Sequence, residues 1–218
     1  MSNLDQRQYA PAFQRNCHPI LAVLEQELPR QGLVLEIASG TGEHAAFFAQ
    51  QLPHLGWLPS DQSQPQLKSI AAWRHHTDLA NFYEPIAVDV GTPNWSEAVV
   101  QALEHDGFAD SEVIAIVNIN MIHISPWQTT EGLMAGAARL LPPQGLLYVY
   151  GPFIQQDQPT ALSNLAFDQS LRSRNPAWGI RQLDDVEKVA AENGLTLQRT
   201  VAMPANNLSV IWRRASES

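Results

Sequence analysis

The stretch "VIAIVNINMIHI" at residues 113–124 is apolar at nearly every position instead of at every second one. A strand with one face in water alternates, so an uninterrupted apolar run fits a central parallel strand covered on both faces. The flanking sequence supplies the covers. Apolar residues recur at helical spacing over 19–28 ("PILAVLEQEL"), 43–52 ("EHAAFFAQQL"), 64–76, 95–107, 130–145 and 183–194. Between them lie short apolar segments at 33–38 ("LVLEIA"), 56–61 ("GWLPSD"), 85–90 ("PIAVDV") and 145–153 ("GLLYVYGPF"). Pro19 is expected in the first turn of its helix, a threonine cap at the start of the helix near 130, and Gly107 at the end of the helix before it. Pro59 points the second strand towards a sheet edge or a strand end. Two strands around "PANN" close the chain. Strands alternating with helices give parallel βαβ units with right-handed crossovers, an α/β fold with helices on both faces of the sheet.

The chain of 218 residues suits one domain, 1–218. Residues 153–182 break the rhythm, being about twice as long as a usual connection. They hold a short helical pattern, "ALSNLAFDQSLRSR", and read as a lid-like excursion.

The net charge of −9 argues against a nucleic-acid partner, which needs a basic face. Only Lys68 and Lys188 are lysines; the other cations are arginines, whose planar fork suits a local carboxylate site. Cys17 stands alone, so no internal disulfide can form, and a reducing, cytoplasmic setting is expected. "MSNLDQRQYAPAFQRN" has no apolar signal region, and no apolar run approaches the roughly 20 residues that span a bilayer. No cluster of His, Cys and Asp has zinc-like spacing, and no metal is expected.

Ligands of open α/β sheets bind beyond the carboxyl ends of the strands. After the first strand come Ser39-Gly40-Thr41-Gly42, where glycines let the backbone turn sharply and approach a ligand. Asp61 ends the second strand near the ~20-residue offset at which an acid receives ribose hydroxyls. Glu43, however, opens the next helix where a pyrophosphate would sit. That repulsion favours a nucleoside without phosphates over a dinucleotide. Glu36, inside the first strand, is expected to bond nearby backbone amides or to reach the ligand through water.

"VLEIASGTG" resembles the first motif of class I S-adenosylmethionine-dependent methyltransferases, with Ala38 where a glycine often lies. The resemblance implies a Rossmann-like, seven-stranded, mostly parallel sheet with a C-terminal antiparallel hairpin, and S-adenosyl-L-methionine as cofactor. It assigns Asp61 to the ribose, Asp89 and Val90 to the adenine side, and Asn118, Asn120 and Met121 to the fourth-strand end beside the sulfonium. More closely, "RNCHPIL", "LEIASGTGEHAAFFA", "NMIHISPW", "YGPF", "WGIR" and "PANN" resemble the domain-of-unknown-function 938 family, which includes methyltransferase-like protein 26. That likeness implies the fold and carries no reaction.

On the acceptor side, His123 is either a proton acceptor or a histidine bonded to a backbone carbonyl. His44 could line the site from the helix start. Arg15 and Asn16, read as preceding the first helix, could clamp a carboxylate. Arg172, Arg174 and Arg181, with Asn164, Asp168 and Trp178, form either an anion-binding lid or surface ion pairs. Trp127 and Tyr150 are wall candidates. The chain thus reads as a methyltransferase acting on a small molecule, anionic ones among the candidates, at O, N or S. A non-catalytic cofactor- or partner-binding protein is the alternative, and a nicotinamide oxidoreductase a third reading that Glu43 opposes.

Overall fold

A computed structural model describes residues 5–105 and 112–216. In chain order the elements are α1 (Phe13–Glu27), β1 (Leu33–Ile37), α2 (Glu43–Gln51), β2 (Gly56–Asp61), α3 (Gln64–Thr77), β3 (Ile86–Ala87), α4 (Trp95–His105), β4 (Val113–Ile119) and α5 (Trp127–Leu140). There follow β5 (Leu146–Gly151), β6 (Phe153–Ile154), α6 (Leu162–Arg174), β7 (Arg181–Gln182), α7 (Leu183–Glu192), β8 (Leu195–Met203) and β9 (Asn207–Arg214). Seven strands form one sheet in the order β3-β2-β1-β4-β5-β9-β8. The first five run parallel, and β9 lies antiparallel to both β5 and β8. The strand order reverses between β1 and β4, which is where such a sheet opens a crevice.

The side-chain alternation of a strand sorts the core into two layers. Leu33, Leu35 and Ile37 of β1 pack with Trp95, Leu133 and Val186 of α4, α5 and α7. Val34 faces the other way, with Leu24, Phe48 and Ile70 of α1, α2 and α3. β1 and β5 are buried along their whole lengths, as strands covered on both faces must be. Among the described residues no helix is long and apolar enough to cross a membrane.

Several sequence expectations shift. α1 begins at Phe13, so Arg15 and Asn16 lie within the helix and Pro19 stands inside it. A proline there removes only the bond to the carbonyl four residues back. β2 is not an edge strand. Its odd-numbered residues turn their backbone groups towards β3: Trp57 donates to Asn81 and accepts from Tyr83, and Asp61 accepts from Val88. Pro59 falls between these bonds, where it lacks no partner. β3 pairs over only two residues, and β4 stops at Ile119, leaving His123 in the loop that follows. α5 starts at Trp127 behind Pro126, so no threonine caps it. Gly107 lies outside the described residues. The excursion carries α6 and a small parallel pair, β6 with β7.

Trp95 shows how closely α4 and α5 approach. Its indole N–H donates to the Gly132 carbonyl (2.8 Å), and a Cβ on Gly136 would lie 2.1 Å from its ring. In an open helix Gly→Ala gains up to about 1 kcal/mol. Here the overlap is expected to reverse the sign and cost about 1–3 kcal/mol. Gly136→Ala should lower the thermal midpoint by about 2–4 °C per kcal/mol lost, and Trp95→Leu should rescue it. A Gly136→Ala protein that melts higher would contradict this packing.

Candidate functional site: a cleft at the sheet switch point

A cleft of about 830 Å³ opens at the carboxyl ends of β1, β2, β3 and β4. That is towards the upper end of the roughly 300–1,000 Å³ of small-molecule sites. Its floor is the turn after β1. Ala38, Gly40 and Gly42 all adopt left-handed conformations (φ 56°, 57° and 82°). For Ala38 this costs roughly 1–2 kcal/mol, the strain of an alanine where the first motif would carry a glycine. The turn is pinned by the Ser39 N–H to the Ser60 carbonyl (2.8 Å) and by Gly42 N–H to the Ser39 carbonyl (3.0 Å). The two glycines do different jobs. A Cβ on Gly40 would meet nothing within 4 Å, because it borders the open cleft; one on Gly42 would lie 2.8 Å from the Ile70 backbone. Gly42 therefore admits α3 and does not line the cleft.

Three acids line this space: Glu36, Asp61 and Asp89. Asp61 accepts the Gly40 N–H on one carboxylate oxygen and the Ser63 N–H on the other, each at 2.9 Å. Burial pushes its pKa up, and the backbone amides of Ser63, Gly40 and Gln62 pull it back. The carboxylate keeps acceptor capacity for a further donor. Glu36 accepts the Trp57 indole N–H at 2.7 Å. Burial drives its pKa to about 8, with the Asp61 charge adding to the rise and the Trp57 and Ser39 hydrogen bonds opposing it. Asp89 accepts the Gly91 N–H (2.9 Å) and shapes the turn after β3. Val90 lines the cleft beside it.

The N-terminal segment straps across one side, and Ala10, Pro11 and Ala12 line the cleft. Glu43 holds it by accepting the Ala10 N–H at 2.7 Å. Ser69 accepts the Gln8 N–H (2.8 Å) and donates to the Thr41 carbonyl (2.7 Å), and the Trp73 indole donates to the Gln8 carbonyl (3.0 Å). Glu43 thus fastens the strap and is not itself among the lining residues, a role that its place at the helix start did not signal. Gln62, Ser63, Gln66 and Thr129 also line the cleft and carry no recognisable pattern in the chain.

Of the residues read from the sequence, Glu36, Ala38, Ser39, Gly40, Thr41, His44, Asp61, Asp89, Val90, Asn120, Met121 and Trp178 line the cleft. Asn120 reaches it from a left-handed position (φ 59°) just past β4. Asn118 sits one layer below, tying β4 to β1 through the Ile37 carbonyl (3.0 Å). His123 is also outside the lining. Its ring lies against Gly151, where a Cβ would stand 3.1 Å away, and edge-on to Phe167. Burial, then the Arg181 charge, lower its pKa to about 4. Nδ1 of His123 has no partner among the described residues.

The excursion does not point its arginines into the cleft. Arg172 pairs with Asp168 (2.8 Å), and Arg174 lies over the Trp178 ring. Arg181 donates to the carbonyls of Ile122, Ser125 and Ala177, bracing the loop after β4. Asn164 donates to the Asn206 carbonyl (2.9 Å), and Trp127 to Glu131 (3.0 Å). Arg15 is exposed on α1, while Asn16 and Tyr150 are buried behind His44.

The family model described as "Protein of unknown function (DUF938)" matches residues 7–214. The chain belongs to the DUF938 family. Its fold is that of S-adenosylmethionine-dependent methyltransferases of known structure. An O-methyltransferase family protein from Burkholderia thailandensis superposes with a TM-score of 0.73 at 17% identity, over 95% of this chain and 58% of that one. Human N-acetylserotonin methyltransferase in complex with SAM gives 0.70 at 12%, over 94% and 53%. An O-methyltransferase family 2 protein from Planctomyces limnophilus in complex with apigenin gives 0.69 at 16%, over 92% and 62%. This chain spans little more than half the length of each.

In this DUF938 protein the described cleft-lining residues include no lysine or arginine beside the three acids, a lining that suits a cation without phosphates. The protonated state of Glu36 can be tested. A carboxyl raised from 4.5 to about 8 stabilises the fold fully below the lower value and loses that contribution as pH climbs through the higher one. Denaturant midpoints of Glu36→Gln against the parent should therefore diverge in the variant's favour from pH 5 to pH 8, by up to about 1.4 kcal/mol per unit. A constant difference would mean that Glu36 is ionised throughout.

Proposed function

We propose that this chain, working as one domain in the cytoplasm, is an S-adenosylmethionine-dependent methyltransferase for a small molecule, akin to methyltransferase-like protein 26. The observation that carries the reading is the Asp61 carboxylate, fixed by Gly40 and Ser63 at the mouth of an acidic cleft free of cationic lining residues. S-adenosylmethionine, when bound, supplies an electrophilic methyl group on a positively charged sulfur. Asp61 would receive the ribose hydroxyls, with the backbone from Ala38 to Thr41 close against the nucleoside. Asp89 and Val90 would border the adenine, and Asn120 and Met121 the side from which the methyl departs. The strap at 10–12 walls one side of the cleft, and Gly40 leaves the room a ligand needs.

Methyl displacement asks for alignment and desolvation more than for covalent chemistry. Two imidazoles held neutral by burial, His44 in the lining and His123 one layer behind, stand where a proton leaving the acceptor could go. A nicotinamide dinucleotide is the less favoured ligand, because no lysine or arginine among the described lining residues would meet its pyrophosphate.

Calorimetry with S-adenosylhomocysteine tests the proposal. The parent protein should bind, and Asp61→Ala should weaken binding roughly 10–100-fold, the loss of hydrogen bonds to a charged acceptor worth about 1.5–3 kcal/mol. Asp61→Asn, which keeps an acceptor for Gly40, controls for collapse of the turn. No binding by the parent, or binding by Asp61→Ala as tight as the parent's, would refute it.

A further inference from the structure

Four segments far apart in sequence meet in one polar chain beside the cleft. His44, at the start of α2, lines the cleft with its ring between Phe13 (5.1 Å) and Phe48 (5.9 Å). Its Nε2 lies 2.8 Å from Oδ1 of the buried Asn16 on α1. The amide of Asn16 and that of Asn207, at the start of β9, both act as hydrogen-bonding neighbours of the Tyr150 hydroxyl at the end of β5. Both lower the phenol's pKa against its burial, the direction expected of donors. Asn207 is itself anchored to the Pro204 carbonyl (3.0 Å).

The chain has a direction. With its NH₂ turned to Tyr150, Asn16 offers its carbonyl oxygen to His44, so Nε2 must carry the proton. The other nitrogen, Nδ1, then keeps a bare lone pair. Apolar neighbours and burial hold the pKa of this imidazole down to about 4, so it stays neutral at pH 7. A neutral imidazole with its tautomer fixed from behind can accept a hydrogen bond and cannot pair with an anion.

We infer that Asn207, Tyr150 and Asn16 hold His44 as the Nε2–H tautomer, so that Nδ1 receives the proton of a neutral, hydroxyl-bearing methyl acceptor. The inference rests on the methyltransferase reading above. As the acceptor's O–H bond breaks, its proton goes to Nδ1, and the oxygen's electron pair forms the bond to the methyl carbon; the old carbon–sulfur pair stays on sulfur. The positive charge passes from sulfur to imidazole, so the cleft's total is unchanged. Asn16, Tyr150 and Asn207 are positioning residues; only His44 meets the acceptor.

Nitrogen-15 NMR of the histidine side chains tests this without turnover. At pH 7 the signal absent from His44→Gln should be that of a neutral Nε2–H tautomer. Tyr150→Phe should mix the tautomers, and Asn16→Asp should raise the His44 titration midpoint by at least about one unit, because a carboxylate favours the imidazolium. With S-adenosylhomocysteine present, phenol should shift the His44 Nδ1 signal and benzoate should not. An Nδ1–H tautomer, or a response to benzoate alone, overturns the inference and leaves the cofactor reading standing. Absence of any shift at Gly40 and Ser63 amides on adding S-adenosylhomocysteine overturns the cofactor reading, and the assignment of an acceptor with it.

Discussion

The cleft depends on how the turn after β1 is lashed to the end of β2. The Asp61 carboxylate takes the Gly40 N–H, the Ser39 N–H reaches the Ser60 carbonyl, and the Ser60 hydroxyl returns to the Glu36 carbonyl (2.8 Å). These bonds hold three left-handed residues in a row of five, Ala38 among them, against a conformational cost of roughly 1–2 kcal/mol for the alanine alone. Strain of this kind persists only where its surroundings over-determine it. The same bonds that fix the backbone also aim the carboxylate, so the scaffold and the ligand-facing group are one device.

Burial gives the site its electrical character. Low dielectric penalises charge, so Glu36 keeps its proton, while His44 and His123 lose theirs. Asp61 alone among these is supported by several backbone amides, which oppose the effect of burial. The excursion arginines, the obvious cations, are spent on carbonyls, on Asp168 and on the Trp178 ring. What remains at the lining is Asp61, Asp89 and groups that hydrogen-bond without charge, with no lysine or arginine among the described lining residues.

The strand ends were legible in the chain because each is written in consecutive residues: an apolar run, then Ser39 to Gly42, or an apolar run, then Asp61. The uninterrupted apolar run over 113–124 likewise revealed the doubly covered strand, which ends earlier, at Ile119. The boundaries were less legible. Pro19 misled because a proline inside a helix costs one bond, which packing of Ile20 and Leu24 can outweigh. His123 looked like a strand-end residue because its loop is as apolar as β4 itself. The N-terminal strap and the chain from Asn207 to His44 were hidden for a different reason. Their partners are separated by 33 residues for Ala10 and Glu43, and by 28 for Asn16 and His44, so no local pattern records the contact. Arginine count also overstated an anion site, since a composition cannot tell a free guanidinium from one bound to three carbonyls.

The central claim is that Asp61 and the turn it holds form a nucleoside seat for a methyl donor. The most direct measurement is a crystal structure of the protein grown with S-adenosylhomocysteine. The account predicts the ribose hydroxyls on the Asp61 carboxylate, the adenine beside Asp89 and Val90, and the sulfur facing Asn120. A ribose bound away from Asp61, or an adenosyl group seated outside this cleft, would contradict it.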